Sequence, residues 1–243
     1  MSDRVIRFVL KPTIVAVSLL PAVGAVWLAR ASFFPQPIPP PPGWLITVSP
    51  NPLSDITLET GVWALRFVCI TLAVTPLRRI TGWNVLIRFR RMAGLFAFFY
   101  GTLHFLTYVI ADRFAGLDFP DGIVALSTVR NLAKSVGDDI YKRPFITIGF
   151  SAWLTMLPLA LTSTAASIRR LGGRRWNRLH RLVYLTAILG VVHYWWLVKA
   201  DVRRPITYGI VVAILLGFRA VWNRMRAPAA PRARVPAATS SRS

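Results

Sequence analysis

A chain of 243 residues that is 54% hydrophobic, with 9 tryptophans and a mean hydropathy of +0.50, carries more apolar surface than a soluble core can bury, so lipid is its expected solvent. The net charge of +21 does not indicate nucleic-acid binding, because the arginines gather in short clusters between long apolar runs instead of forming a basic stripe. A single cysteine, Cys69, excludes an intrachain disulfide and any cysteine-held iron–sulfur or zinc centre; lying in mid-span, it reads as a packing residue.

The first apolar run is about Thr13–Leu28, preceded by Arg4, Arg7 and Lys11. It reads either as a signal peptide, with Ala29-Arg30-Ala31 as a small-x-small cleavage pattern, or as a first transmembrane helix; its length favours the retained helix. A proline-rich stretch, Pro35–Pro42, is extended and lies outside the membrane. The second run, Ile56–Thr75, is stopped by Thr75-Pro76 and followed by Arg78 and Arg79. A short basic connection through Arg88, Arg90 and Arg91 leads to the third, Met92–Ile110. The mixed-charge loop Asp112–Arg143 has room for a short helix or two. The fourth run, Pro144–Ser163, precedes Arg169, Arg170, Arg174, Arg175 and Arg178. The fifth is Leu179–Val198, and a tight loop, Lys199–Arg204, joins it to the sixth, Pro205–Trp222. The tail from Asn223 is rich in Ala, Pro, Arg and Ser, a composition that predicts disorder.

Each run is about 17–20 residues, enough to cross a ~30 Å hydrocarbon core. The predicted fold is therefore an all-α integral membrane bundle of about six transmembrane helices. It divides into an N-terminal helix and proline-rich loop (1–52), a transmembrane domain (53–222) and a basic tail (223–243). The N-terminus, the connections after runs two and four, and the tail are strongly basic, which places both termini in the cytoplasm.

All 3 histidines fall in or beside these runs: His104 on the third, His180 and His193 on the fifth. An imidazole in lipid costs free energy unless it is paired, so each is a functional candidate. His104 lies eight residues before Asp112 and His193 six before Lys199, on two runs that both travel outward, so their depths match. Two neutral imidazoles facing each other across a bundle can supply the axial ligands of a haem iron, between helices three and five. Helical spacing puts Gly94, Ala97 and Gly101 on the His104 stripe and Thr186 and Gly190 on the His193 stripe, small residues that leave a slot for a flat group or serve ordinary helix packing, though packing alone does not explain a histidine on each stripe. His180 is thirteen residues before His193, about 20 Å along a helix and about 140° away around it unless the helix bends. It reads as a further ligand with an unusual partner or as an interfacial histidine. Arg66, in mid-span, needs a counter-charge, either Glu59 or a haem propionate. Arg78, Arg90, Arg91 and Arg178 ring the cytoplasmic end, where they mark topology or hold propionates or a flavin phosphate. There is no Gly-x-Gly-x-x-Gly and no soluble domain for a dinucleotide, so electrons must arrive from a membrane quinol or another protein's flavin.

The segments Gly61–Arg66, Thr75–Arg78, Arg90–Leu95 with Tyr100 and His104, Lys142–Phe145, Leu161–Ser163, Trp176–Tyr184 and His193-Tyr194 together resemble the MsrQ (YedZ) type of membrane subunit. That type is the haem-binding partner in bacterial protein-methionine-sulfoxide reductase systems, within the ferric-reductase-like transmembrane group. The resemblance spans about Leu53–Trp222. It implies a multi-pass protein of the bacterial inner membrane that binds b-type haem and FMN. It further implies electrons taken from the respiratory quinone pool and passed to a periplasmic, molybdenum-containing catalytic subunit that repairs oxidised methionines. On this reading the chain is not an enzyme by itself. The oxidase relatives carry two histidines on each of helices three and five; here the fourth position falls at Arg90. A stand-alone ferric or cupric reductase and a proton-relaying transporter are the other readings, the latter short of paired acids in the spans.

Overall fold

The computed structural model describes residues 3–33, 39–110, 126–198 and 201–225. Outside them lie the start of the proline stretch, the loop from Asp112 to 125, Lys199 and the tail beyond 225. Among the described residues every regular element is helical. In chain order they are α1 (Asp3–Val5), a π-helical turn (Ile6–Leu10), α2 (Lys11–Phe33), α3 (Pro52–Thr81), a 3₁₀ turn (Asn84–Leu86), α4 (Ile87–Tyr108), α5 (Leu126–Lys142), α6 (Pro144–Leu161), α7 (Ala165–Leu179), α8 (Leu182–Leu197) and α9 (Arg203–Met225). All six predicted apolar runs are helix: α2, α3, α4, α6, α8 and α9. Among the described residues four helices are both long and apolar enough to cross a membrane: Asp3–Ser32, Pro52–Thr81, Pro144–Leu161 and Arg203–Met225. Leu182–Leu197 is apolar but shorter, and α4 opens on Arg88, Arg90 and Arg91.

The centre is α3, packed by α2, α4, α8 and α9. Asn51 starts it by accepting from the Ser54 amide at 3.2 Å, and Pro52 takes the first turn, where its missing N–H costs nothing. Gly82 ends it at φ +74°, a left-handed cap that favours glycine. Thr75-Pro76 does not stop this helix, as the sequence suggested, because the rest of the bundle repairs the break. Pro76 cannot donate to the Leu72 carbonyl one turn back, and Arg219 of α9 donates there instead, Nη2 to O at 3.0 Å.

The first helix belongs to the packed bundle. Tyr100 of α4, fully buried, puts its hydroxyl into the α2 backbone beside Pro21, donating to the Ser18 carbonyl at 2.6 Å and accepting from the Ala22 amide at 3.2 Å. Its ring stacks on Phe67, which stacks on Phe96, tying α3 to α4. Lower down the chain, Leu28, Ile46 and Ile56 close a smaller cluster between α2 and α3.

The fifth predicted run is corrected at its start. The continuous helix begins at Leu182, and His180 is the cap of α7, its amide bonded to Trp176. His180 and His193 therefore do not share one helix, and the rotation between them sets no constraint. α7 itself is kinked at Gly172, φ +71°, and exposes Arg169, Arg170, Arg174, Arg175 and Arg178. The loop before α6 contains one described helix, α5.

Candidate functional site

His104 of α4 and His193 of α8 meet inside the bundle with ring centroids 6.0 Å apart and planes at 73°. The two helices that carry them are held by different neighbours, α4 mainly by α3 and α8 mainly by α6. The rings thus face each other across the joint between two helix pairs. Each ring is fixed the same way: Nδ1 of His104 lies 2.8 Å from the Thr57 carbonyl oxygen, and Nδ1 of His193 lies 2.7 Å from that of Phe145. A carbonyl only accepts, so Nδ1 carries the proton and donates in both cases. That tautomer leaves Nε2 of each ring as a free lone pair, the form in which histidine ligates a metal.

Two glycines make room for the rings. A Cβ on Gly61 of α3 would stand 3.0 Å from Cε1 and Nδ1 of His104, and one on Gly149 of α6 would stand 2.7 Å from the same atoms of His193. The Phe145 ring stacks against His193 at 6.5 Å. The small residues expected to leave a slot have partners of their own. A Cβ on Gly101 would stand 2.7 Å from the Met156 methyl of α6, Gly94 faces Thr71, and Gly190 faces Leu65. Part of that stripe is therefore helix contact, with a flexible methionine at its tightest point.

Among the described residues no cluster of three or more His, Cys, Asp or Glu could hold a metal ion. A pair of imidazoles does not enclose a bare ion. It does fit a metal whose other positions are filled by its own ligand, as in haem. The donor set, the free Nε2 atoms and the glycine cradles all suit that group.

The other predicted site residues are spread out. Arg66 turns to α9: its Nε donates to the Tyr208 hydroxyl at 3.0 Å and its guanidinium lies 4.4 Å over the Trp63 ring. Glu59, the suggested counter-charge, instead accepts from Thr47. His180 stacks on Trp176 at 3.8 Å with Nε2 3.1 Å from the Thr162 hydroxyl, beside Arg90. Burial, and then the Arg90 charge, hold its ring below the ordinary histidine value, so it is neutral at pH 7. Arg78 lines a basic cavity at this end of the bundle, whereas Arg91 is exposed on α4. Sequence reasoning passed over Gly149 and Arg219. The second carried a signal: an arginine inside an apolar run, by the same logic that picked out Arg66. Gly149 carried none, since its neighbour is distant in the chain.

Residues 60–191 match the family model described as "Ferric reductase like transmembrane component". Three curated relatives share the name "Protein-methionine-sulfoxide reductase heme-binding subunit MsrQ". The protein from Ralstonia nicotianae is 54% identical over 174 residues, 71% of this chain and 73% of its own length. That from Herminiimonas arsenicoxydans is 51% identical over 174 residues, 71% and 72%. That from Azospira oryzae is 48% identical over 196 residues, 80% and 77%.

Proposed function

This chain belongs to the ferric reductase like transmembrane family and, within it, to the MsrQ haem-binding subunits, and from that premise we propose that it is the electron-transfer subunit of a methionine-sulfoxide reductase, holding haem between His104 and His193. The observation that carries the reading is the pair of facing rings, 6.0 Å apart, each tied through Nδ1 to a backbone carbonyl. Bound haem supplies one-electron redox chemistry. The chain supplies everything else. Thr57 and Phe145 fix tautomer and ring direction, Gly61 and Gly149 give the rings their space, and the apolar bundle keeps water out. The lone Cys69 offers no paired-cysteine attachment, which is consistent with the b-type haem that the family resemblance implies.

In this reading electrons come from the respiratory quinone pool, with FMN as a second cofactor, and leave to a periplasmic molybdenum-containing subunit that repairs oxidised methionines. The chain sits in the bacterial inner membrane with both termini cytoplasmic. The arginine asymmetry supports that orientation, because it puts Arg78, Arg79 and Arg90 inside and the histidine pair in the outer half.

The test is a spectrum of the purified membrane protein. The wild type shows a Soret band that shifts on reduction with dithionite; His104→Ala and His193→Ala lose most of it, and His180→Ala keeps it. A colourless wild type, or a full band in His193→Ala, refutes the assignment. Reoxidation by the periplasmic subunit and not by chelated iron separates the conduit from a stand-alone metal reductase.

A further inference from the structure

The end of the bundle remote from the histidine pair carries a basic cavity separate from the space between His104 and His193. An open pocket of about 580 Å³ is lined by Arg78 and Arg79 at the end of α3, Asn84 in the next turn, Arg181 between α7 and α8, and Trp222 and Asn223 on α9. It adjoins a cavity of about 200 Å³ that shares Arg79 and Arg181 and adds Thr75, Arg90, His180 and Arg219. Five arginines converge there, and among the described residues no aspartate or glutamate lines either space. Arg219 is only 8% exposed, and its Nε, like the Thr75 hydroxyl in the same cavity, is buried without a hydrogen-bond partner. Of the five only Arg219 is buried; Arg78, Arg79 and Arg90 are half-buried and Arg181 is exposed, so their charges repel at the mouth of the pocket and an anion there relieves that repulsion, while the buried donor left open calls for an acceptor.

The surroundings say what kind of anion. The helix ends that frame the larger cavity also expose Leu77, Ile80 and Trp83 on the α3 side and Val221 and Met225 on α9. A polar, cationic pocket rimmed by exposed apolar side chains fits an amphiphile, with its anionic head in the pocket and its chains along the outside of the helices. The neighbouring helix α7 presents Arg174, Arg175 and Arg178 to solvent, as an interfacial helix does beside charged lipid. We propose that this end of the bundle is a binding site for the phosphate headgroup of an anionic phospholipid.

The shared chemistry is a phosphate among arginines, and a soluble phosphate could offer it too. The full chain, purified in detergent and stripped of lipid, is titrated separately with phosphatidylglycerol, phosphatidylcholine, inorganic phosphate and riboflavin 5′-phosphate. Retained lipid is read by native mass spectrometry and stability by tryptophan-fluorescence melting. The haem band is recorded in the same samples, so haem loss and lipid loss are scored separately. Phosphatidylglycerol should stay bound and raise the melting temperature while phosphatidylcholine does neither. Arg181→Gln and Arg78→Gln should each weaken phosphatidylglycerol binding about fivefold. Equal binding of the two lipids, or unchanged binding in both variants, overturns the proposal. So does full displacement of the lipid by equimolar inorganic phosphate or riboflavin 5′-phosphate, which would assign the pocket to a soluble ligand.

Discussion

Replacing Gly149 with alanine tests the proposed haem site without touching a ligand. The added methyl would stand 2.7 Å from Cε1 and Nδ1 of His193 and 3.1 Å from Cγ, where ordinary contact begins near 3.4 Å. The interior is close-packed, so the ring has to withdraw by about 0.7 Å or turn. Its bond to the Phe145 carbonyl, now 2.7 Å, then stretches past the roughly 3.2 Å at which an N–H···O bond still holds. A buried N–H left open costs about 1–3 kcal/mol, and loss of a ligand's supporting partner lowers metal affinity about 10–100-fold. Haem is titrated into the apoprotein and followed at the Soret band, while the melting curve of the same apoprotein checks that the bundle is intact. Gly137→Ala is the control, since nothing stands within 4 Å of its Cβ position. Wild-type haem affinity with an unaltered spectrum in Gly149→Ala would refute the reasoning.

Substitutions at three other residues probe the bundle around the site. Tyr100→Phe keeps the ring stack but removes both hydrogen bonds into α2, and should cost about 1–3 kcal/mol, seen as a lower melting temperature and faster proteolysis near Pro21. Arg219→Met leaves the Leu72 carbonyl beneath Pro76 and the Tyr184 hydroxyl without their donor; the expected loss is about 2–4 kcal/mol in thermal or denaturant unfolding. Arg219→Lys should recover only part of it, because one ammonium lacks the planar fork that serves both acceptors. The third concerns pH. The folded His180 ring binds its proton less readily than the free side chain, so the unfolded chain takes up more protons as pH falls through about 6.5. Acidification from pH 7.5 to 5.5 should therefore destabilise the wild type more than His180→Gln, and identical slopes for the two would contradict the burial of that ring.

The six apolar runs were legible because hydropathy and arginine clusters act locally, and all six became helices. His104 and His193 were found the same way, as polar rings that lipid will not accept without a purpose. The breaks were read less well. Thr75-Pro76 looked like an end, but the donor that repairs it lies on α9, far along the chain. His180 looked like part of the fifth span, yet the turn at His180-Arg181 follows from Trp176 and Thr162 holding its ring. The glycine stripe could be a slot or ordinary helix packing from sequence alone, and only the position of Met156 separates the two uses at Gly101.

By itself the sequence determined the solvent, the class of fold and the residue type proposed as ligand, since each follows from composition and period along a single run. Tertiary structure alone decided which atoms face one another. It paired Thr57 and Phe145 with the two Nδ1 protons, set Gly149 beneath His193, and drew five arginines from four parts of the chain around one pair of cavities. The physical reason is range: hydrophobicity is summed over neighbours in the chain, while a hydrogen bond or a close contact depends on a partner that only packing brings near.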